Sequence, residues 1–74
     1  MSRKHPVLTA KQLIRILERK GFWLSRQSGS HAIFINGEGL RTTVPIHGKK
    51  NLGVGLLSQI MKDAGLTNED LENA

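Results

Sequence analysis

The stretch Phe22-Trp23-Leu24-Ser25-Arg26-Gln27-Ser28-Gly29-Ser30-His31-Ala32-Ile33-Phe34-Ile35-Asn36-Gly37-Glu38-Gly39-Leu40-Arg41-Thr42-Thr43-Val44-Pro45 decides the fold. From Phe22 to Gln27 the residues alternate, Phe22 and Leu24 on one side, Trp23 and Ser25 on the other, the period of two that a half-buried strand requires. Ser28-Gly29-Ser30 breaks the run, and His31 to Ile35 forms a second one. Asn36-Gly37-Glu38-Gly39 is rich in residues that tolerate positive φ, so it reads as a hairpin turn into a third strand over Leu40 to Val44, ended by Pro45. Connections this short join antiparallel neighbours, which makes the three runs a meander.

Helical patterns flank the meander. Thr9 followed by Gln12 has the form of a capping box, and Ala10, Leu13, Ile14 and Leu17 recur at helical spacing before Gly21, which predicts a helix over residues 9 to 20. Beyond the strands, Leu56, Leu57, Ile60, Met61 and Ala64 share one helical face and Gly65 supplies the stop. Gly53 and Gly55 would each weaken a helix interior by ~1 kcal/mol, so this helix is expected to start near Gly55, with 52 to 54 as its lead-in. Thr67 with Asp70 has the pattern to cap one more turn, but residues 1–8 and 67–74 are expected to be mobile ends of a single domain. Two helices with one apolar stripe each bury both stripes most simply against one face of the sheet, giving a two-layer α+β domain in the order helix, three antiparallel strands, helix. Phe22, Leu24, Ala32, Phe34, Thr42 and Val44 would line the covered face. The opposite face would display Trp23, Ser25, His31, Ile33, Ile35, Arg41 and Thr43.

At 74 residues the chain has room for one small core and not for a large enclosed pocket, so an active site would be an open surface suited to a polymer. The net charge is +5 and the isoelectric point about 10.3, in the range of nucleic-acid-binding domains. All eleven Lys and Arg residues lie within residues 1–62 beside only Glu18 and Glu38, whereas Asp63, Glu69, Asp70 and Glu72 crowd the C-terminus. A polyanionic partner, RNA foremost, fits this asymmetry; the plain alternative is a solvated basic surface. The chain has no cysteine, which excludes disulfides and thiolate metal sites. The basic start, Met1 to Pro6, is followed by no apolar stretch of signal-peptide length, and nothing approaches the ~20 apolar residues of a membrane span, so a soluble cytoplasmic protein is expected.

With this order established, the motifs resemble those of the HicA toxin family, small RNA-cleaving toxins of bacterial and archaeal toxin–antitoxin pairs. The residues that carry the resemblance run through nearly the whole chain: Gly21-Phe22 opening the first strand, Arg26-Gln27 leading into Gly29-Ser30-His31, Val44-Pro45-Ile46-His47 ending the third strand, and Leu57, Ile60, Lys62 and Ala64-Gly65-Leu66 in the last helix. The resemblance implies a fold like a double-stranded RNA-binding domain, an mRNA-cleaving activity with His31 as the catalytic residue, and a HicB-type antitoxin partner. One departure is Gly55-Leu56-Leu57, where many relatives carry Gly-Thr-Leu, so a hydroxyl near the start of the last helix is missing.

The residues themselves fit that chemistry. RNA carries its own nucleophile, the 2′-OH, beside the scissile phosphorus, so no metal is obligatory. The protein need only move protons and stabilise charge, work suited to an imidazole with cations near it. His31 could serve as base or acid, though one side chain seldom does both in a single step. Its neutral counterpart role is a half-exposed strand histidine filling space. No carboxylate or cysteine stands at ligand spacing from His31 or His47, so neither a metal nor another cofactor is expected. His47 fits a recurring position of that family's motif or simply ends its strand, no second catalytic group is assigned, and His5 lies in the N-terminal segment with no expected role.

Ser30 reads first as a turn residue and second as a phosphate donor. Lys49 and Lys50 precede the last helix, where a basic loop and a positive helix end together suit phosphate binding. Arg26 and Arg41 would flank His31 if strands one and three border strand two, while Lys11, Arg15, Arg19 and Lys20 read as a solvated helix face. Trp23, Ile33 and Ile35 form an apolar strip on the uncovered sheet face, the mark of a protein partner. An endoribonuclease toxin is therefore the leading expectation. A non-catalytic RNA-binding module of similar fold is the alternative, and a pure protein-interaction domain the third.

Overall fold

A computed structural model describes residues 7–48 and 50–72. The elements are α1 (Ala10–Arg19), β1 (Trp23–Ser28), β2 (His31–Ile35), β3 (Arg41–Pro45), α2 (Val54–Ala64) and α3 (Asn68–Glu72). The strands form one antiparallel sheet in the order β1-β2-β3, with β2 in the middle. This is the α+β architecture expected, consistent with a fold like a double-stranded RNA-binding domain. The element bounds move by one or two residues from the sequence pattern, as element ends commonly do.

Local chemistry explains where the elements begin and end. Thr9 caps α1 in a reciprocal box: the Gln12 N–H donates to Thr9 Oγ1 at 3.3 Å and the Thr9 N–H donates to Gln12 Oε1 at 3.0 Å. The β2–β3 turn closes around the Asn36 side chain, whose Oδ1 accepts from the N–H groups of Glu38 and Leu40. Gly65 ends α2 in the left-handed region, φ 69°, donating its N–H to the Lys62 carbonyl.

The core lies between the helices and one sheet face. Leu13, Ile16 and Leu17 of α1 and Leu57, Ile60 and Ala64 of α2 are buried with Phe22, Ala32, Phe34, Thr42 and Val44. Both α1 and α2 lie against β3, and β1 has no buried residue. This corrects the expectation for Leu24: it pairs with Phe34 on the helix-facing side, yet is 48% exposed because β1 is an edge strand beyond the cover of the helices. Thr42 is the polar exception in the core, and its Oγ1 has no hydrogen-bond partner. An unmet group of this kind typically costs ~1–3 kcal/mol.

The segments expected to be mobile ends contribute to packing where they are described. Leu8 is buried, its carbonyl accepts the Leu52 N–H at 2.7 Å, and Thr9 bridges Asn51, so the chain before α1 is tied to the loop before α2. Thr67 caps α3, with the Thr67 N–H donating to Asp70 Oδ2 at 2.9 Å and the Asp70 N–H to Thr67 Oγ1 at 3.2 Å. Leu71 is 3% exposed, and Lys20 Nζ meets Asp70 Oδ1 at 3.2 Å. The apolar contact is what a mobile tail would lack, and it fixes α3 against α1.

Candidate functional site

The uncovered face of the sheet is a grid of three rows fixed by strand register, because residues directly opposite in antiparallel strands share a face. Ser28, His31 and Pro45 form the first row, Arg26, Ile33 and Thr43 the second, and Trp23, Ile35 and Arg41 the third. Rows are two residues apart along a strand, or roughly 7 Å.

His31 is the first residue of the central strand and is exposed to solvent. Its position depends on the two-residue connection Gly29-Ser30 between the paired residues Ser28 and His31. Gly29 takes φ 59° and no other kind of residue in the described chain has positive φ, so Ser30 remains on the negative side. That is the combination of a type II′ hairpin turn, whose twist matches its strands. The turn is braced twice: Gln27 Nε2 donates to the Gly29 carbonyl at 3.1 Å, and the Ile46 N–H donates to the Ser30 carbonyl at 2.6 Å. Ser30 is exposed next to His31.

Arg26 reaches this face through an irregularity. Simple alternation from Phe22 and Leu24 would turn Arg26 toward the helices. The register slips between Leu24 and Arg26, leaving Ser25 as an extra residue and bringing Arg26 opposite Ile33, one row from His31. Arg41 is brought elsewhere. It pairs with Ile35, two rows or ~14 Å along the sheet from His31, so it does not flank the histidine as expected but borders the apolar end. There Trp23, 50% exposed, pairs with Ile35, and Ile33 and Ile35 are each half-buried. The three apolar residues thus share one face, as the strand patterns predicted.

Lys50 is exposed in the loop before α2, where its N–H donates to the His47 carbonyl at 3.2 Å, and Lys49 lies outside the described residues. The N-cap of α2 is Gly53, which offers no side-chain hydrogen bond to the first turn. Two neighbours of His31, Ser28 and Pro45, were not singled out from the sequence. Only the pairing register identifies them.

Neither His31 nor His47 has a side-chain partner among the described residues. Among the described residues, no group of three or more His, Asp or Glu side chains gathers as a metal site, and no helix is long and apolar enough to cross a membrane. The face therefore offers an accessible imidazole, a neighbouring guanidinium and no carboxylate in its three rows, suited to proton transfer on an anionic polymer. Residues 10–66 match the family model described as the HicA toxin of bacterial toxin–antitoxin systems, a span that includes every element of this face. No curated protein matches the chain.

Proposed function

The chain belongs to the HicA toxin family, toxins that pair with an antitoxin, and from that premise we propose that it is an endoribonuclease that cuts mRNA in the cytoplasm without a metal or other cofactor. The observation that carries this reading is the exposure of His31 at the start of the central strand, on the face that no helix covers. An imidazole there meets a polymer of any length. His31 acts as general acid or base on the ribose–phosphate unit. Arg26, one row away, offsets charge on the phosphoryl oxygens, and Ser30, Lys49, Lys50 and Arg41 hold the backbone on either side.

Trp23, Ile33 and Ile35 form the contact for a HicB-type antitoxin, which would lie across the same face and exclude RNA from His31. Burial of an exposed tryptophan beside two isoleucines is the usual basis of a protein interface.

His31→Ala tests the nuclease. Cleavage of a labelled transcript should fall by roughly 10²–10⁴-fold, the usual contribution of a positioned acid or base, and growth inhibition should disappear with it. Melting temperature and RNA affinity should stay near those of the parent, because the residue is exposed. Full activity of the variant would refute the proposal. RNA binding that is salt-sensitive but never yields product from the parent protein would favour a non-catalytic RNA-binding module instead.

A further inference from the structure

Cleavage by the 2′-OH requires two proton movements, one away from the attacking oxygen and one onto the departing oxygen, and His31 accounts for one of them. We infer that His47 is the second catalytic residue, completing an acid–base pair with His31 across the end of the sheet. This inference rests on the nuclease reading above.

The strand register carries it. His31 pairs with Pro45, and the ladder continues one step beyond the last paired residue of β3, since the Ile46 N–H donates to the Ser30 carbonyl. The alternation of faces continues as well: Val44 is buried, Pro45 is half-buried, Ile46 packs against the core and His47 is exposed. His47 therefore belongs to the outward row of positions on the β3 side, next after Pro45 and diagonal to His31. Diagonal neighbours in an antiparallel pair are about 7–8 Å apart, within joint reach of two long side chains around one phosphate. Gly48 then turns the chain away at φ 64°, so His47 is the last residue on this edge of the face.

The surroundings suit a pair that exchanges protons with substrate. Ser28 and Pro45 beside His31 are uncharged, and the charged groups of the adjoining strand and loop, Arg26 and Lys50, are cations that attract phosphate. In the reaction, one neutral imidazole takes the proton of the 2′-OH as O2′ bonds to phosphorus. The bond from phosphorus to O5′ breaks, and the other imidazole, protonated at the outset, gives its proton to O5′. The products are a 2′,3′-cyclic phosphate and a 5′-hydroxyl, and the two histidines end with their protonation states exchanged.

The test uses the full chain, an RNA whose cleavage site has been mapped, and the same RNA with sulfur in place of the bridging 5′ oxygen at that site. Thiolate leaves without being protonated, so loss of the general acid matters only for the oxygen substrate. On ordinary RNA, His31→Ala and His47→Ala should each lose roughly 10²–10⁴-fold in rate, and His47→Gln, which keeps a hydrogen-bond donor and the folded surface, should lose as much. On the sulfur substrate one of the two histidine positions, and only one, should recover; that position is the acid. Parental cleavage of ordinary RNA by His47→Ala or His47→Gln, with His31→Ala inactive, would overturn this inference and leave the nuclease reading standing. Recovery of neither position, or of both, would overturn it equally. An active His31→Ala would instead remove the nuclease reading itself.

Discussion

His31 owes its aim to the residue two positions before it. Gly29 adopts φ 59°, a conformation that costs other L-residues about 1–2 kcal/mol, and a Cβ there would meet no atom within 4 Å. Gly29→Ala should thus lower stability by roughly that amount through the backbone alone, seen as a shift in the denaturant midpoint, with a further loss of cleavage as the turn re-forms and re-aims His31. Equal stability of parent and alanine variant would contradict the turn assignment. Residue-level features of this kind were readable from the sequence because glycine in a short break between strands has few other uses. Arg26 was not readable in the same way: nothing in Leu24-Ser25-Arg26 announces an extra residue, and the register slip appears only where β1 meets β2. Arg41 shows the same limit, because how far a side chain lies from His31 along the sheet is set by pairing and not by strand membership.

Elements that bury a long stripe were legible, and of the short one only its Thr67–Asp70 cap was. The positions of α1 and α2 follow from apolar spacing, a capping box at Thr9 and the stop at Gly65, all local signals. Helix α3 has five residues, too few for periodicity or for independent stability, and it exists through Leu71 in the core, the Thr67 box and Lys20. Asp70 links these. The Thr67 N–H holds its carboxyl below the ordinary value of 3.8, burial opposes this, and Lys20 adds to the lowering. A carboxyl depressed in the folded state stabilises it above pH 3.8, and that stabilisation is lost as pH falls through the depressed value. Melting curves followed downward through this window should show a loss of stability in the parent that is smaller in Asp70→Asn. A variant with the parent's pH dependence would show that Asp70 does not anchor α3. The tie between Leu8 and Leu52 was likewise invisible in sequence, since it joins segments that carry no strand pattern.

Across the whole molecule, the helices cover one face of a three-stranded sheet and leave the other uncovered. The single apolar stripe on each helix anticipated that division, and the alternation of Trp23, His31, Ile33 and Ile35 predicted which residues face outward. One face then serves two exclusive occupants in the proposed account, RNA at the His31 end and an antitoxin anchored at the Trp23 end. In hydrogen-exchange measurements on the toxin–antitoxin pair, the amides of β1 and β2 should become protected relative to the free toxin. Unchanged exchange there would remove the proposed interface while leaving the nuclease untouched. The central claim is that RNA is cut by its own 2′-OH under the hand of an exposed imidazole. Its most direct test is the chemistry of the product ends after incubation of a defined RNA with the purified protein and excess chelator, read by mass spectrometry. The account predicts 2′,3′-cyclic phosphate and 5′-hydroxyl termini, formed by the parent and not by His31→Ala. Products bearing 3′-hydroxyl and 5′-phosphate ends, or cleavage abolished by the chelator, would contradict it.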